Sequence, residues 1–266
     1  MTALTSDSIQ QIPNLISFWD FQEPTGQPRV AKGAHPYALQ EMAGAIERVD
    51  GGLFGPHAAF LRPKQWLSAS RKDCPALNIH GPQAQVSVVA WFKRYRKPEI
   101  QCEFLAGIWD ETRAKRQYGL FLDLRLHNSA DQIAGHVSGL GGPTPGNRWC
   151  MDAAITYSDV TYFENWYCGG FTYDGEFTKA YHNGILDVRE KLNPYPYKLG
   201  IFDAGDVGGD FTVGAVDRLG SIGNWFTGVI GGIAVFDRAL TDEEMDHLAS
   251  ILPVRLKKDH SSDPLK

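Results

Sequence analysis

The chain lacks a basic excess. Its 266 residues carry 26 lysines and arginines against 31 aspartates and glutamates, a formal charge of −5. A nucleic-acid face needs cations to neutralise phosphates, so that partner class is not expected. Long apolar runs are missing too. A long uncharged stretch, Leu219 to Phe236, is broken by five glycines and by Ser221, Asn224 and Thr227. That falls short of the ~20 apolar residues of a membrane helix, so no membrane partner is expected. Residues 1–14 hold neither the early positive charge nor the apolar segment of a secretion signal. With Met1 as the natural start, the expected compartment is the cytoplasm; with a leader removed, it is outside the cell.

Metal-ligand spacing is also absent. The four cysteines, Cys74, Cys102, Cys150 and Cys168, form no CxxC pair, which argues against structural zinc. A domain of this size needs no disulfide to fold, so free thiols are expected. The eight histidines show no HxH or HxxxH spacing. No cofactor is required by anything in the sequence, and the oligomeric state is not legible in it.

Glycine and proline, by contrast, are plentiful at 28 and 15 residues, and there are 31 aromatics. Many short strands joined by tight turns follow from that composition. Strands are expected over Leu15–Phe21, Ala58–Leu61, Trp66–Ser68, Val86–Tyr95, Gln117–Asn128, Gln132–Gly139, Trp166–Tyr173, Phe177–Asn183, Phe211–Val216 and Gly228–Phe236. In the fourth, Val86, Val88, Ala90 and Phe92 share one face and Val89 and Trp91 the other. In the fifth, Tyr118, Leu120, Leu122, Leu124 and Leu126 point to a core. Gly141 to Glu164 reads as a long irregular loop, the type of segment that often binds or covers a site. Thr241-Asp242-Glu243-Glu244 is a capping box that opens one short helix over Asp242 to Leu252. The expected organisation is an N-terminal arm (1–14), one domain (15–252) and a polar tail (253–266).

These segments, in this order, resemble the laminin-G-like domains of the concanavalin-A-like lectin/glucanase superfamily. LISFWDFQE is similar to the first strand of that family, and NWYCGGFTYDGEFTKAYHNGIL to its hairpin pair. FTVGAV followed by WFTGVIGGIAVFDRALTDEEMDHL resembles its closing pattern. The resemblance implies an all-β, two-sheet antiparallel jelly-roll sandwich with one short C-terminal helix and a glycan on a concave face or rim. It also implies a structural calcium ion, for which Asp20 and Asp237 at strand ends are the candidate ligands. The Glu-x-Asp-x-x-Glu and Glu-x-Asp-x-Glu strand motifs of the related glucanases are absent, which disfavours a two-carboxylate glycosidase.

Strand parity assembles a candidate site. A hairpin centred between Ser129 and Ala130 would set Asp123 opposite His136, or Arg125 opposite His136 after a slip of two. Asp123, Arg125, His127, Gln132 and His136 would then share the non-core face. A second hairpin would set Cys168 opposite His182 and Thr172 opposite Thr178, with Gly169, Phe171, Tyr173 and Tyr181 on the core side. Trp149, Tyr157, Tyr162 and Phe163 in the long loop offer flat platforms for sugar rings. Asp123, Arg125, His127, Gln132, Trp149 and Tyr157 are therefore the expected substrate contacts of a lectin-like protein. The alternative is a polysaccharide lyase with His136, His182 or Tyr162 as base or acid and Arg125 neutralising a uronate. A protein-interaction domain is the third reading.

Overall fold

A computed structural model describes residues 4–96, 101–161 and 165–253. The first part of the chain forms α1 (Ser6–Gln10), β1 (Leu15–Trp19), β2 (Arg29–Val30), β3 (Ala38–Met42), β4 (Glu47–Asp50), β5 (His57–Leu61), β6 (Trp66–Ala69) and β7 (Val86–Arg94). Then come β8 (Glu103–Ile108), β9 (Tyr118–Leu122), β10 (Gln132–Val137), β11 (Ala153–Asp159), β12 (Tyr167–Tyr173) and β13 (Phe177–His182). The chain closes with β14 (Ile185–Leu186), β15 (Tyr195–Pro196), β16 (Phe211–Val213), β17 (Val216–Arg218), β18 (Ser221–Gly223), β19 (Gly228–Phe236) and α2 (Asp242–Leu248).

The strands pair antiparallel into two large sheets, which makes the protein an all-β sandwich. The nine-stranded sheet runs β14-β13-β12-β7-β19-β5-β4, with β1 on β19 and β15 on β13. The eight-stranded sheet runs β11-β10-β9-β8-β16-β6-β3-β2, and β17–β18 form a separate ribbon.

Alternation decides which residues lie between the sheets. Val86, Val88, Ala90 and Phe92 of β7 enter the inter-sheet core with Tyr118, Leu120 and Leu122 of β9 and Ile133 and Val137 of β10. Val89 and Trp91, on the other parity, join a second apolar cluster on the outer face of the nine-stranded sheet. There α2 covers them: Met245 and Leu248 are fully buried, and Trp91 Nε1 donates to the Leu248 carbonyl at 3.0 Å. The capping box forms as the sequence requires, with Thr241 accepting from the Glu244 amide at 3.2 Å. The helix is shorter than expected, because a single 3-10 turn takes over at Ala249–Ile251. The N-terminal arm is not bare either. Thr5 caps α1, whose Ile9 is fully buried in the same outer cluster.

Two further expectations change. The stretch Gly141 to Glu164 is not irregular throughout, since β11 lies within it and pairs with β10 as the edge of its sheet. Its apolar parity is carried by alanines, which give a weak strand signal. Strand β9 stops at Leu122, six residues before the sequence-based end at Asn128. Beyond it Asp123, Arg125, His127 and Asn128 all take positive φ (49°, 61°, 51° and 55°), so strand parity is lost. Leu124 and Leu126 consequently pack on the outer side of the eight-stranded sheet instead of in the core.

Candidate functional site

The outer face of the eight-stranded sheet is apolar where it meets the loops. Phe104, Trp109, Phe121, Ala134, Cys150, Ala153 and Ile155 cluster there. His136 belongs to this face by parity, but it is packed and not solvated. Its ring lies 4.8 Å from Trp109 and 5.3 Å from Phe121, and the residue is 2% exposed. Burial drives its pKa down to about 3, against a smaller opposing push from the Asp152 backbone, so the imidazole is neutral at pH 7. Its Nδ1 is buried without a hydrogen-bond partner.

Above this floor opens a cleft of about 180 Å³. Trp109, Phe121 and His136 lie on its apolar side. Leu124, Arg125 and Leu126 come from the left-handed turn after β9, Trp149 and Cys150 from the loop before β11, and Arg218 from the β17–β18 ribbon. Gln101, Cys102, Glu111 and Arg116 complete the lining. Burial raises the Glu111 pKa, partly offset by Arg116 and Arg218. Glu111 Oε1 accepts from Trp109 Nε1 and Asn224 Nδ2, each at 3.3 Å, while Oε2 has no hydrogen-bond partner. Arg218 stands 3.6 Å from that oxygen and also lies over the Trp149 ring at 5.3 Å. The Cys150 thiol is pushed up to about 11 by burial, which leaves it protonated and unreactive.

Arg125 sits at the mouth, half-exposed, with its NH2 3.0 Å from Asp123 Oδ2. Asp123 does not line the cleft. It turns inward to Arg94, 3.8 Å away, which also holds Glu103 at 2.7 Å and Asp131 at 2.6 Å. Burial raises the Asp123 pKa, and one of its oxygens lacks a partner. Arg125 thus extends from a buried ion network that joins β7 of one sheet to β8 of the other.

The structure corrects the expected hairpin registers. His136 pairs with Gly119 and Ile133 with Leu122, so His136 faces neither Asp123 nor Arg125. Turn residues in the left-handed region lengthen the connection and move the register by four. In the second hairpin Gly169 pairs with His182 and Thr172 with Lys179. That one-residue slip exchanges faces. His182 turns toward the seam between the sheets, 5.6 Å from the Tyr167 ring, with Nε2 3.2 Å from the Asp159 carbonyl. Cys168 lies under α2, on the opposite face, and cannot form a thiol–imidazole pair with it. Tyr181 is also outside the core, donating its hydroxyl to Asp242 at 2.7 Å. The continuous surface expected from Asp123, Arg125, His136 and His182 therefore reduces to Arg125 and His136.

Other expected contacts scatter around the cleft. His127 is exposed, its Nε2 2.9 Å from the Met151 carbonyl. Gln132 donates to Asp159 at the sheet edge, and Tyr157 stands 64% exposed on β11. Tyr162 and Phe163 lie outside the described residues. Glu111, Arg116 and Arg218 were missed by the sequence reading. The only sequence signal for Glu111 and Arg116 is their place directly before β9, in a charged run between two apolar strands.

Among the described residues no group of three or more His, Cys, Asp or Glu side chains is arranged to hold a metal ion. Asp20 is buried and engaged by Lys32 at 2.5 Å and by Ser6 at 2.7 Å. Asp237 follows β19 at the other end of the antiparallel β1–β19 pair, where Leu15 meets Phe236. Five strand residues separate the two carboxylates by roughly 15–20 Å, so they cannot share one calcium ion. The four cysteines are unbridged.

No family model matches the chain, and no curated protein matches it in sequence. Solved structures do. Domain 4 of AbnA, an extracellular GH43 arabinanase from Geobacillus stearothermophilus solved with arabinotriose, superposes with a TM-score of 0.57 at 16% identity, covering 89% of this chain and 98% of that one. A Trypanosoma rangeli sialidase mutant displaying trans-sialidase activity gives 0.56 at 14% identity, over 91% of this chain and 34% of that one. The CBM40 of the Ruminococcus gnavus IT-sialidase gives 0.51 at 14% identity, over 75% and 100%. At such identities the likeness is one of fold alone, a two-sheet β-sandwich.

Proposed function

We propose that the protein is a carbohydrate-binding, lectin-like sandwich that takes an acidic sugar in the Trp149 cleft. The observation that carries this reading is the cleft itself: an apolar floor, an indole at the rim and the guanidinium groups of Arg125 and Arg218 at the opening. An aromatic rim suits the C–H face of a pyranose, and a guanidinium suits a carboxylate through paired hydrogen bonds. The fold neighbours support the class, since one was solved with arabinotriose and another is a carbohydrate-binding module of a sialidase. The Thr-Tyr-Asp-Gly hairpin and the Asp-Arg-Ala-Leu entry to α2 support a laminin-G-like subtype within it.

Binding is favoured over β-elimination by the state of His136. A base whose conjugate acid has a pKa of about 3 is poorly matched to proton abstraction at neutral pH. Calorimetric titration with tetragalacturonate, 3′-sialyllactose and arabinotriose tests the proposal. Saturable binding of an acidic probe, at least tenfold weaker in Trp149→Ala, is expected, with no rise in unsaturated-uronate absorbance. Absence of binding by all three, or equal affinity in the variant, would overturn it.

A further inference from the structure

On the opposite sheet a second groove of about 290 Å³ opens, close to the ~300 Å³ at which small-molecule sites begin. The register builds it. Glu47 of β4 faces Phe60 of β5, Phe60 faces Val229 of β19, and Val229 faces Lys93 of β7. The next strand over, β12, pairs Tyr167 with Phe92, which leaves Trp166 beside Lys93. A bulge in β19 between Ile230 and Gly232 shapes the seat of that indole. A Cβ at Gly231 would come within 2.8 Å of the Trp166 ring, so glycine lets the indole lie on the strand.

Two cations stand on this aromatic ground. Lys93 Nζ lies 5.0 Å from the Trp166 ring centre, and the Arg62 guanidinium 4.9 Å from that of Phe60. Tyr95 packs against Phe60, with ring centres 5.5 Å apart. Arg62 is balanced by Glu47 at 2.6 Å, and the groove's other carboxylate, Asp50, faces His57 at 3.1 Å. Among the described residues no carboxylate pairs with Lys93. The groove therefore presents an ammonium without an ion-pair partner among the described residues, beside aromatic edges and on a face separate from the Trp149 cleft.

We propose that this groove is a second saccharide site, for a sugar ring bearing an anionic substituent, a carboxylate or a sulfate ester. Lys93 takes the anion, the Phe60–Tyr95 pair receives the C–H face of the ring, and Glu47 and Arg62 hydrogen-bond to its hydroxyls. The reading does not depend on the first cleft, because the two sites report through different indoles.

The test titrates tetragalacturonate, a heparin-derived tetrasaccharide and neutral arabinotriose into the full-length Trp149→Ala chain, followed by the indole N–H resonance of Trp166. A saturable shift is expected with at least one anionic probe, and which probe gives it distinguishes carboxylate from sulfate. Lys93→Gln should weaken that binding at least fivefold without lowering the melting temperature; Phe60→Leu should weaken it as a second, charge-preserving variant. A Trp166 resonance that none of the probes moves would overturn the proposal. So would arabinotriose binding as tightly as the anionic probes, or Lys93→Gln leaving the affinity unchanged.

Discussion

The two outer faces of this sandwich start from the same pattern and end differently. Both carry apolar residues on the parity opposite the core, Val89 and Trp91 on one sheet and Phe104 and Phe121 on the other. On the nine-stranded sheet the helix α2 fills the space over Trp91 and Cys168. On the eight-stranded sheet loops do the covering, and they leave a cleft over Phe121 and His136. An incomplete cover made of arginine and tryptophan, rather than the composition of the floor, is what opens the cleft over Phe121 and His136.

The contrast can be broken at several points, and the largest effect should come from what ties the faces together. Arg94 is fully buried and holds Glu103, also fully buried, across the two sheets. Arg94→Met would strand two or three carboxylates, so chemical denaturation should show a loss of about 3–5 kcal/mol. On the closed face, Met245→Ala removes a fully buried side chain from beneath α2. A loss of about 2–5 kcal/mol is expected there, with glycan affinity in the Trp149 cleft unchanged. A Met245→Ala protein that is as stable as the parent would mean that the helix is an ornament and the comparison fails.

The open face should show its burial through pH. His136 is neutral in the fold with a pKa of about 3, whereas the unfolded chain takes up a proton near 6.5. Stability is thus unaffected by this group above pH 6.5 and falls as pH drops from there toward 3, by up to about 1.4 kcal/mol per unit. Asp123 and Glu111 act in the opposite sense, because their raised pKa values make the folded state bind protons more readily. Urea midpoints at pH 7 and pH 4.5, compared between the parent and His136→Gln, isolate the histidine. The parent should lose about 2–3 kcal/mol more than the variant over that interval. The smallest effect is expected at the mouth. Arg125→Lys keeps the charge but loses the planar fork, so acidic-glycan affinity should fall by about 1–2 kcal/mol, with stability within ~0.5 kcal/mol.

What the sequence carries and what it does not divide along the same line. Strand β7 was legible in full, because nine residues of unbroken alternation admit one assignment of faces. The capping box at Thr241 was legible because Thr and Glu three apart bond each other wherever a helix begins there. Leu120 and Leu122 read correctly, yet Leu124 and Leu126, in the same run, did not. Asp-Leu-Arg-Leu-His does not announce three alternating residues in the left-handed region, which is uncommon for any residue but glycine and is not favoured by arginine, although aspartate and histidine visit it more often than most. That conformation is held by tertiary partners, among them Arg94 on Asp123 and Arg189, whose NH2 donates to the His127 carbonyl at 3.2 Å. The lost parity moved Asp123 out of the candidate site and, with the one-residue slip at Gly169, moved His182 as well. Trp149 was found as a loop aromatic; Glu111, Arg116 and Arg218 were not, since the first two reach the cleft from the β8–β9 connection and the third from the β17–β18 ribbon, far apart in sequence from the loop.

The central claim is that a sugar enters the cleft over His136 and not the space that α2 fills over Trp91. The indole N–H resonances provide a direct readout, because Trp109 and Trp149 line that cleft while Trp91 is locked to Leu248 beneath α2. During a tetragalacturonate or 3′-sialyllactose titration, the account predicts that Trp149 and Trp109 shift together and saturate at one dissociation constant, with Trp91 unmoved. Titrations in which Trp149 and Trp109 stay fixed with both probes, or in which Trp91 moves in their place, would contradict it.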